Sequence, residues 1–196
     1  MAGDILHFYE AFYLDEILYC CKSVENSFKA LNVALVANHK DCHSKEKGRG
    51  IKDTILREAQ NLIGHAASLS KLLWPPSTKG KYGRRGRKLR AALGITEESP
   101  LKSRRVRNAM EHFDERLDDY LAKGMFGYIF PKYVGEKPGE NEPTHHLFRA
   151  FFTDVGEFEI LGENIPLQPL VDDVMRIGNS LVTLNSKGGR LPVGDE

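Results

Sequence analysis

"RVRNAMEHFDERLDDYL", residues 105–121, decides how the chain is read. At about 100° per residue, Val106, Met110, Phe113, Leu117, Tyr120 and Leu121 fall within one arc of about 100°, the core-facing side of an amphipathic helix. The polar side is less ordinary, because Arg107, Asn108 and His112 come together within a few positions. Asn108 and His112 are four residues apart and therefore neighbours, both well away from the apolar arc. Arg107 lies about 140° around the cylinder from His112, so one straight helix does not aim both at the same spot. A second surface has to complete any site they form, and a two-fold copy of the same helix would supply it. The bland alternative is an Arg107–Glu111 pair on a solvated face.

Working outward, the apolar spacing predicts a long helix over 5–38 through Ile5, Phe8, Tyr9, Phe12, Leu18, Tyr19, Leu31, Ala34 and Leu35. A polar connection follows over 38–50. A second helix over 51–74 carries the stripe Ile51, Ile55, Ala59, Leu62, Ala66, Leu69 and Leu73, stopped by Trp74-Pro75-Pro76. The next stretch, "STKGKYGRRGRKLRAALGI", reads as a glycine-broken basic loop with one short helix at 87–93. The third long helix is expected to start at Ser99-Pro100 and run to Ala122. Residues 124–163 are aromatic and β-branched between Gly and Pro, which predicts a small β-meander. Helical spacing returns over 166–187 through Leu170, Val174, Ile177, Leu181 and Leu184. The expectation is one mainly α domain over 1–196, a four-helix bundle with a β-rich insertion at 124–163 before its last helix.

The formal net charge of +1 hides a strong asymmetry. Residues 40–107 carry 18 basic and 6 acidic side chains, whereas residues 108–196 carry 8 basic and 16 acidic ones. So positive a central segment attracts polyanions whatever the whole-chain balance. Three cysteines, Cys20, Cys21 and Cys42, suit a reduced compartment better than a disulfide framework. No apolar run reaches a membrane span and the start, Met1-Ala2-Gly3-Asp4, lacks a basic leader, so a cytoplasmic, non-membrane protein is expected. There is no phosphate-binding P-loop, dinucleotide glycine fingerprint or serine elbow.

The stretch "RNAMEH" resembles the arginine–asparagine–three–histidine signature of the HEPN superfamily, the higher eukaryotes and prokaryotes nucleotide-binding domains. Its setting is similar too, near the start of a long helix and downstream of the "REAQNLIGHAASLSKLLWP" helix. The likeness covers residues 1–123 and 166–187, and the β segment is not part of the family pattern. The resemblance implies an all-α bundle that forms a homodimer across the motif helices and acts as an endoribonuclease without metal or other cofactor. Arg107 and His112 match the family's catalytic arginine and histidine, and Asn108 the polar residue after the arginine. Some members are toxins or defence effectors, a role that brings a neutralising protein partner with it. The alternative the family allows is a non-catalytic module that binds RNA, a nucleotide or a protein partner.

Those residue types suit the chemistry. Metal-free RNA cleavage uses the 2′-hydroxyl as nucleophile and needs a proton-moving group and a cation for charge on the phosphate oxygens. Histidine titrates near neutrality, and arginine can hold two phosphate oxygens with its planar fork. The basic tract Lys79, Lys81, Tyr82, Arg84, Arg85, Arg87, Lys88 and Arg90, extended by Arg104 and Arg105, reads either as an RNA path with a stacking tyrosine or as a solvated flexible loop. His39, Cys42 and His43 have ligand types but no fourth partner, so no metal site is expected. His145-His146 reads as alternating strand positions. His65 and Glu58 read as polar helix positions or as residues near a dimer seam. Asp114, Glu115, Asp118 and Asp119 read as a solvated face.

Overall fold

Leu14, Ile17, Cys20, Cys21, Val24, Leu31 and Ala34 form the buried side of the first helix, α1 (His7–Lys40). Within α1 the expected stripe is buried at Leu31 and Ala34, whereas Tyr9, Phe12 and Tyr19 are 49%, 72% and 60% exposed. α1 packs along α2 (Lys45–Leu73), where the Tyr19 ring meets His65 edge-on. The computed structural model describes residues 5, 7–40, 45–105, 108, 113–139, 144–186, 188 and 191.

α2 buries Ile55, Ala59, Leu62, Ala66, Leu69 and Leu73 as its spacing predicts, and ends before Trp74-Pro75-Pro76. It begins earlier than expected. Gly48, Arg49 and Gly50 are helical, so the connection is far shorter than 38–50. The intrinsic penalty of about 1 kcal/mol per helical glycine is outweighed by the continuous stripe that starts at Ile51.

The basic stretch departs most from expectation. It is a full helix, α3 (Gly80–Ala92), whose buried residues are Gly83, Gly86 and Leu89. The glycines do not loosen it. A Cβ on Gly83 would lie 1.9 Å from the Thr78 carbonyl oxygen, and one on Gly86 would lie 2.6 Å from that of Leu73. The missing side chain of Gly86 lets the backbone of α3 seat on the end of α2, and that of Gly83 lets it close on the connecting segment at Thr78. The segment after it is not the start of a long α-helix either. Pro100–Lys102 is a single 3-10 turn, capped by Ser99, whose Oγ accepts from Leu101 N. Ser99 Oγ also donates to Asp173, and Ser70 Oγ donates to the Leu101 carbonyl, so the turn is pinned to two helices. Helical backbone resumes at Arg104, Arg105 and Asn108 and over α4 (Phe113–Ala122).

The insertion holds six short strands, β1 (Tyr128–Phe130), β2 (Tyr133–Gly135), β3 (His145–Leu147), β4 (Arg149–Phe152), β5 (Glu157–Ile160) and β6 (Glu163–Pro166). A meander is present only in part. β4-β5-β6 is antiparallel with Phe151 opposite Phe158, but β2 joins β4 in parallel and β1 pairs with β3 in parallel as a separate two-stranded sheet. Long returns between β1 and β3 and between β2 and β4 make the parallel pairings possible. Leu161 and Gly162, with φ of 49° and 80°, make the two-residue turn from β5 to β6. The last helix, α5 (Leu167–Ser186), buries Leu170, Val174, Ile177 and Leu181 against α1. One apolar cluster joins these helices to Val134, Phe151, Phe158, Ile160 and Ile165 of the sheet. Among the described residues no helix is long and apolar enough to cross a membrane.

Opposite signs are expected for glycine replacements. Gly86→Ala should destabilise by about 1–3 kcal/mol through overpacking. Gly64→Ala in α2, where an added Cβ meets nothing within 4 Å, should stabilise by about 0.5–1 kcal/mol. Urea titration of the two variants checks this. A second expectation concerns the buried thiols. Burial raises Cys20 to about 11 and Cys21 to about 12, from an ordinary 9.0. The unfolded chain ionises first, so the stability from both thiols is full below pH 9 and falls as pH rises through 11–12. Iodoacetamide at pH 8 should alkylate them only as fast as the protein opens, which mass spectrometry over time would read.

Candidate nucleic-acid interface

The end of α2, the Ser99 turn and the start of the motif helix enclose a cleft of about 650 Å³. Lys71, Trp74, Thr78, Lys102, Arg104 and Asn108 line it together with Pro75 and Pro76. Three cations face one space. Asn108 is the only residue of the expected catalytic trio that can be placed, exposed on helical backbone. Arg107 and His112, the other two, lie outside the described residues, as does Glu111.

Local sequence explains the cleft. Trp74-Pro75-Pro76 ends α2 and turns the chain outward, and the buried Trp74 indole forms a floor on which the Arg90 guanidinium stacks at 5.1 Å. Arg90 also donates to the Leu73 carbonyl and lies 3.4 Å from Glu97. Lys102 bonds Glu97 at 3.0 Å. That hydrogen bond holds the Glu97 carboxyl below the usual range despite some desolvation, with Arg90 and Trp74 adding to it.

The basic residues of α3 divide into two sets. Arg85 donates to the Lys71 carbonyl and lies over the Tyr13 and Tyr82 rings. Lys88 reaches the Ile5 carbonyl and the buried carboxylate of Glu10, whose other oxygen accepts from Leu191 N. With Arg90, these side chains fasten the helix to its neighbours. Lys79, Lys81, Arg84 and Arg87 are exposed, with Tyr82 49% exposed beside Lys81. Arg87 donates to the Thr78 carbonyl, so the outer basic face of α3 adjoins the cleft at Thr78. Arg104 lines the cleft itself, and Arg105 points to Glu163 at 3.8 Å.

The sheet buttresses α4. Arg116 binds Glu163 at 2.8 Å and donates to the Ile160 carbonyl. The Arg149 guanidinium covers the Phe113 ring at 4.4 Å. The Tyr120 ring meets Phe148 edge-on, and its hydroxyl is 3.1 Å from His146 Nδ1. The Phe126 carbonyl, 3.1 Å from His146 Nε2, can only accept, so Nε2 donates to it and Nδ1 is left to the Tyr120 hydroxyl. Burial and the nearby Glu159 raise the Tyr120 hydroxyl, which keeps it a donor. α4 needs this support, because none of its described side chains is fully buried and Leu121, expected on the packed arc, is 40% exposed.

Other expectations are placed as follows. Asp114, Glu115, Asp118 and Asp119 are exposed. His65 meets the Tyr19 ring edge-on, and Glu58 bonds Arg57 and Asn61 on the surface of α2. His145 stacks on Tyr128 and Phe130, and His146 serves the Tyr120 contact, so both have partners beyond strand alternation. Asp41, Cys42 and His43 lie outside the described residues. Lys71 and Lys102 were missed. Lys102 could have been found as the first cation of the run that leads into Arg104, whereas Lys71 is brought there only by folding. Compared with known proteins, the chain matches no family model, no curated protein and no solved structure.

The two basic sets should separate in experiment. Lys88→Ala removes an ammonium from the carboxylate of Glu10, 2% exposed, and should lower stability by about 2 kcal/mol or more. Arg84→Ala with Arg87→Ala should leave the urea midpoint within about 0.5 kcal/mol of the parent while flattening the salt dependence of RNA retention.

Proposed function

We propose that this chain is a metal-independent endoribonuclease of the HEPN type that cleaves RNA at a site shared between two copies of the motif helix. The carrying observation is that Asn108, the middle of the motif "RNAMEH", lines a cleft with Lys71, Lys102 and Arg104. A cleft of this size accepts a nucleotide, and its cations offer the phosphate contacts that position a strand. The basic outer face of α3 supports the same reading, since it continues from the cleft past Thr78.

In this proposal His112 accepts the 2′-hydroxyl proton and the oxygen attacks the adjacent phosphorus. The bond to the 5′-oxygen breaks, leaving a 2′,3′-cyclic phosphate, and a protonated histidine supplies the leaving oxygen with its proton. Arg107 holds the phosphate oxygens as negative charge develops on them. Asn108, one turn before His112, orients the imidazole or bonds the phosphate. Two copies are required because Arg107 and His112 diverge around a single helix. A nuclease that needs no cofactor suits a toxin or defence role held in check by a neutralising protein.

The test is incubation of purified protein with mixed RNA in excess EDTA. Cleavage to cyclic-phosphate ends is expected, reduced about 10²–10⁴-fold by His112→Ala and about 10²–10³-fold by Arg107→Ala. Mixing the two inactive variants should restore some activity, because one of the two composite sites then regains both groups. RNA retained at low salt but left intact would instead identify a non-catalytic binding module. Undiminished cleavage in His112→Ala would remove the histidine from the chemistry.

A further inference from the structure

A second cationic hollow lies between α2 and the β insertion, apart from the cleft at Asn108. Asp53, Arg57, Gln60 and Asn61 of α2 line it together with Lys132, from the turn between β1 and β2, and Arg149, at the start of β4. Its volume is about 160 Å³. At ~30 Å³ per water that is room for about five waters, below the ~300–1,000 Å³ of whole small-molecule sites. It fits one tetrahedral anionic group with part of its hydration, not a nucleotide.

The charges select an anion. Three cations and two side-chain amides face the space. Only part of that charge is answered, since Lys132 pairs with Asp53 at 2.8 Å and Arg57 with Glu58 at 2.9 Å. Arg149 differs. Its guanidinium is stacked on Phe113, and its Nε is enclosed with no hydrogen-bond acceptor among the described residues. Stacking engages the face of a guanidinium and leaves its in-plane N–H groups to bind an oxyanion.

We propose that Arg149, Lys132 and Arg57, with the amides of Gln60 and Asn61, form a phosphate-binding subsite that the β insertion adds to the helical core. The phosphate is either an internal phosphodiester of an RNA strand or a free anion. The first source rests on the nuclease reading and is favoured by position. Arg149 stacks on Phe113, the residue that follows His112 in the sequence, so a strand held here lies against the start of α4. The insertion then has two tasks, supporting the motif helix and gripping the substrate next to it.

The experiment titrates inorganic phosphate into isotope-labelled protein and follows the side-chain amides of Gln60 and Asn61 by NMR. Saturable shifts are expected, with binding weakened roughly tenfold in Arg149→Gln, in line with one lost charge-assisted pair. Lys132→Gln, at an exposed position, should weaken it by a smaller factor without touching the core. Asp53→Asn should tighten it, because Lys132 loses its competing carboxylate; a folding defect cannot produce that gain. Absence of saturable shifts, or phosphate binding indifferent to all three changes, would overturn the subsite.

The second arm measures a short fluorescent oligoribonucleotide binding to His112→Ala protein. Arg149→Gln should reduce the salt slope by about one ion and weaken binding severalfold. Phosphate binding with an unchanged oligonucleotide slope would assign the hollow to a free anion and overturn its part in RNA binding. Both binding results intact without any RNA cleavage by the parent protein would sink the nuclease reading alone.

Discussion

α4 does not hold itself in place. Its described turns bury no side chain fully, and a helix of that length has little stability alone. What seats it is a line of contacts from the β insertion: Arg105 and Arg116 on Glu163, Arg149 over Phe113, and Tyr120 against His146 and Phe148. These contacts are directional, made by charge, ring face and hydrogen bond, and those of Arg116, Arg149 and Tyr120 lie in a half-buried setting where each is worth more than in water. Any chemistry at Arg107 and His112 depends on this lateral support as much as on the bundle.

A second constraint shapes the electropositive side. α3 meets the end of α2 backbone to backbone because Gly86 has no side chain, Gly83 closes on the connection at Thr78, and this proximity makes Arg85 and Arg90 structural. Arg90 caps the carbonyl end of α2 and stacks on Trp74, completing the floor of the cleft. The cations left outside, with Lys71 and Lys102, form a surface continuous with the cleft. A basic tract that looks uniform in sequence thus does two jobs, which follow from helical phase. Residues in register with the buried glycines and Leu89 turn inward, and the others turn toward solvent.

The insertion and the bundle are one packing unit. Phe151, Phe158 and Ile165 share a cluster with Leu62, Val174 and other helix residues, so the sheet is not an ornament on a finished core. Glu163 sits at the first residue of β6, which leads directly into α5. The strand that pairs with the motif helix and the helix that closes the bundle are therefore consecutive, and a shift in one moves the other.

Much of the architecture was legible in the residues alone. Period in apolar residues is a local property, so α2 and α5 appear with their buried faces correct, and Trp74-Pro75-Pro76 marks a stop. The motif and the charge asymmetry are also local, and both are read without a fold. Three things were not. Glycine in α3 reads as flexibility along the chain but serves close approach in space. The large aromatics of α1 outweigh its Cys and Val in any hydrophobic count, yet Cys20, Cys21 and Val24 are buried while Tyr9, Phe12 and Tyr19 are exposed. The parallel pairings of β1 with β3 and β2 with β4, and the meeting of Lys71 with Asn108 or Lys132 with Arg149, join residues far apart in the chain. Sequence by itself determined which segments form helices and which carry charge. Tertiary structure alone decided which faces meet, because that depends on the sizes and charges of partners that no local pattern contains.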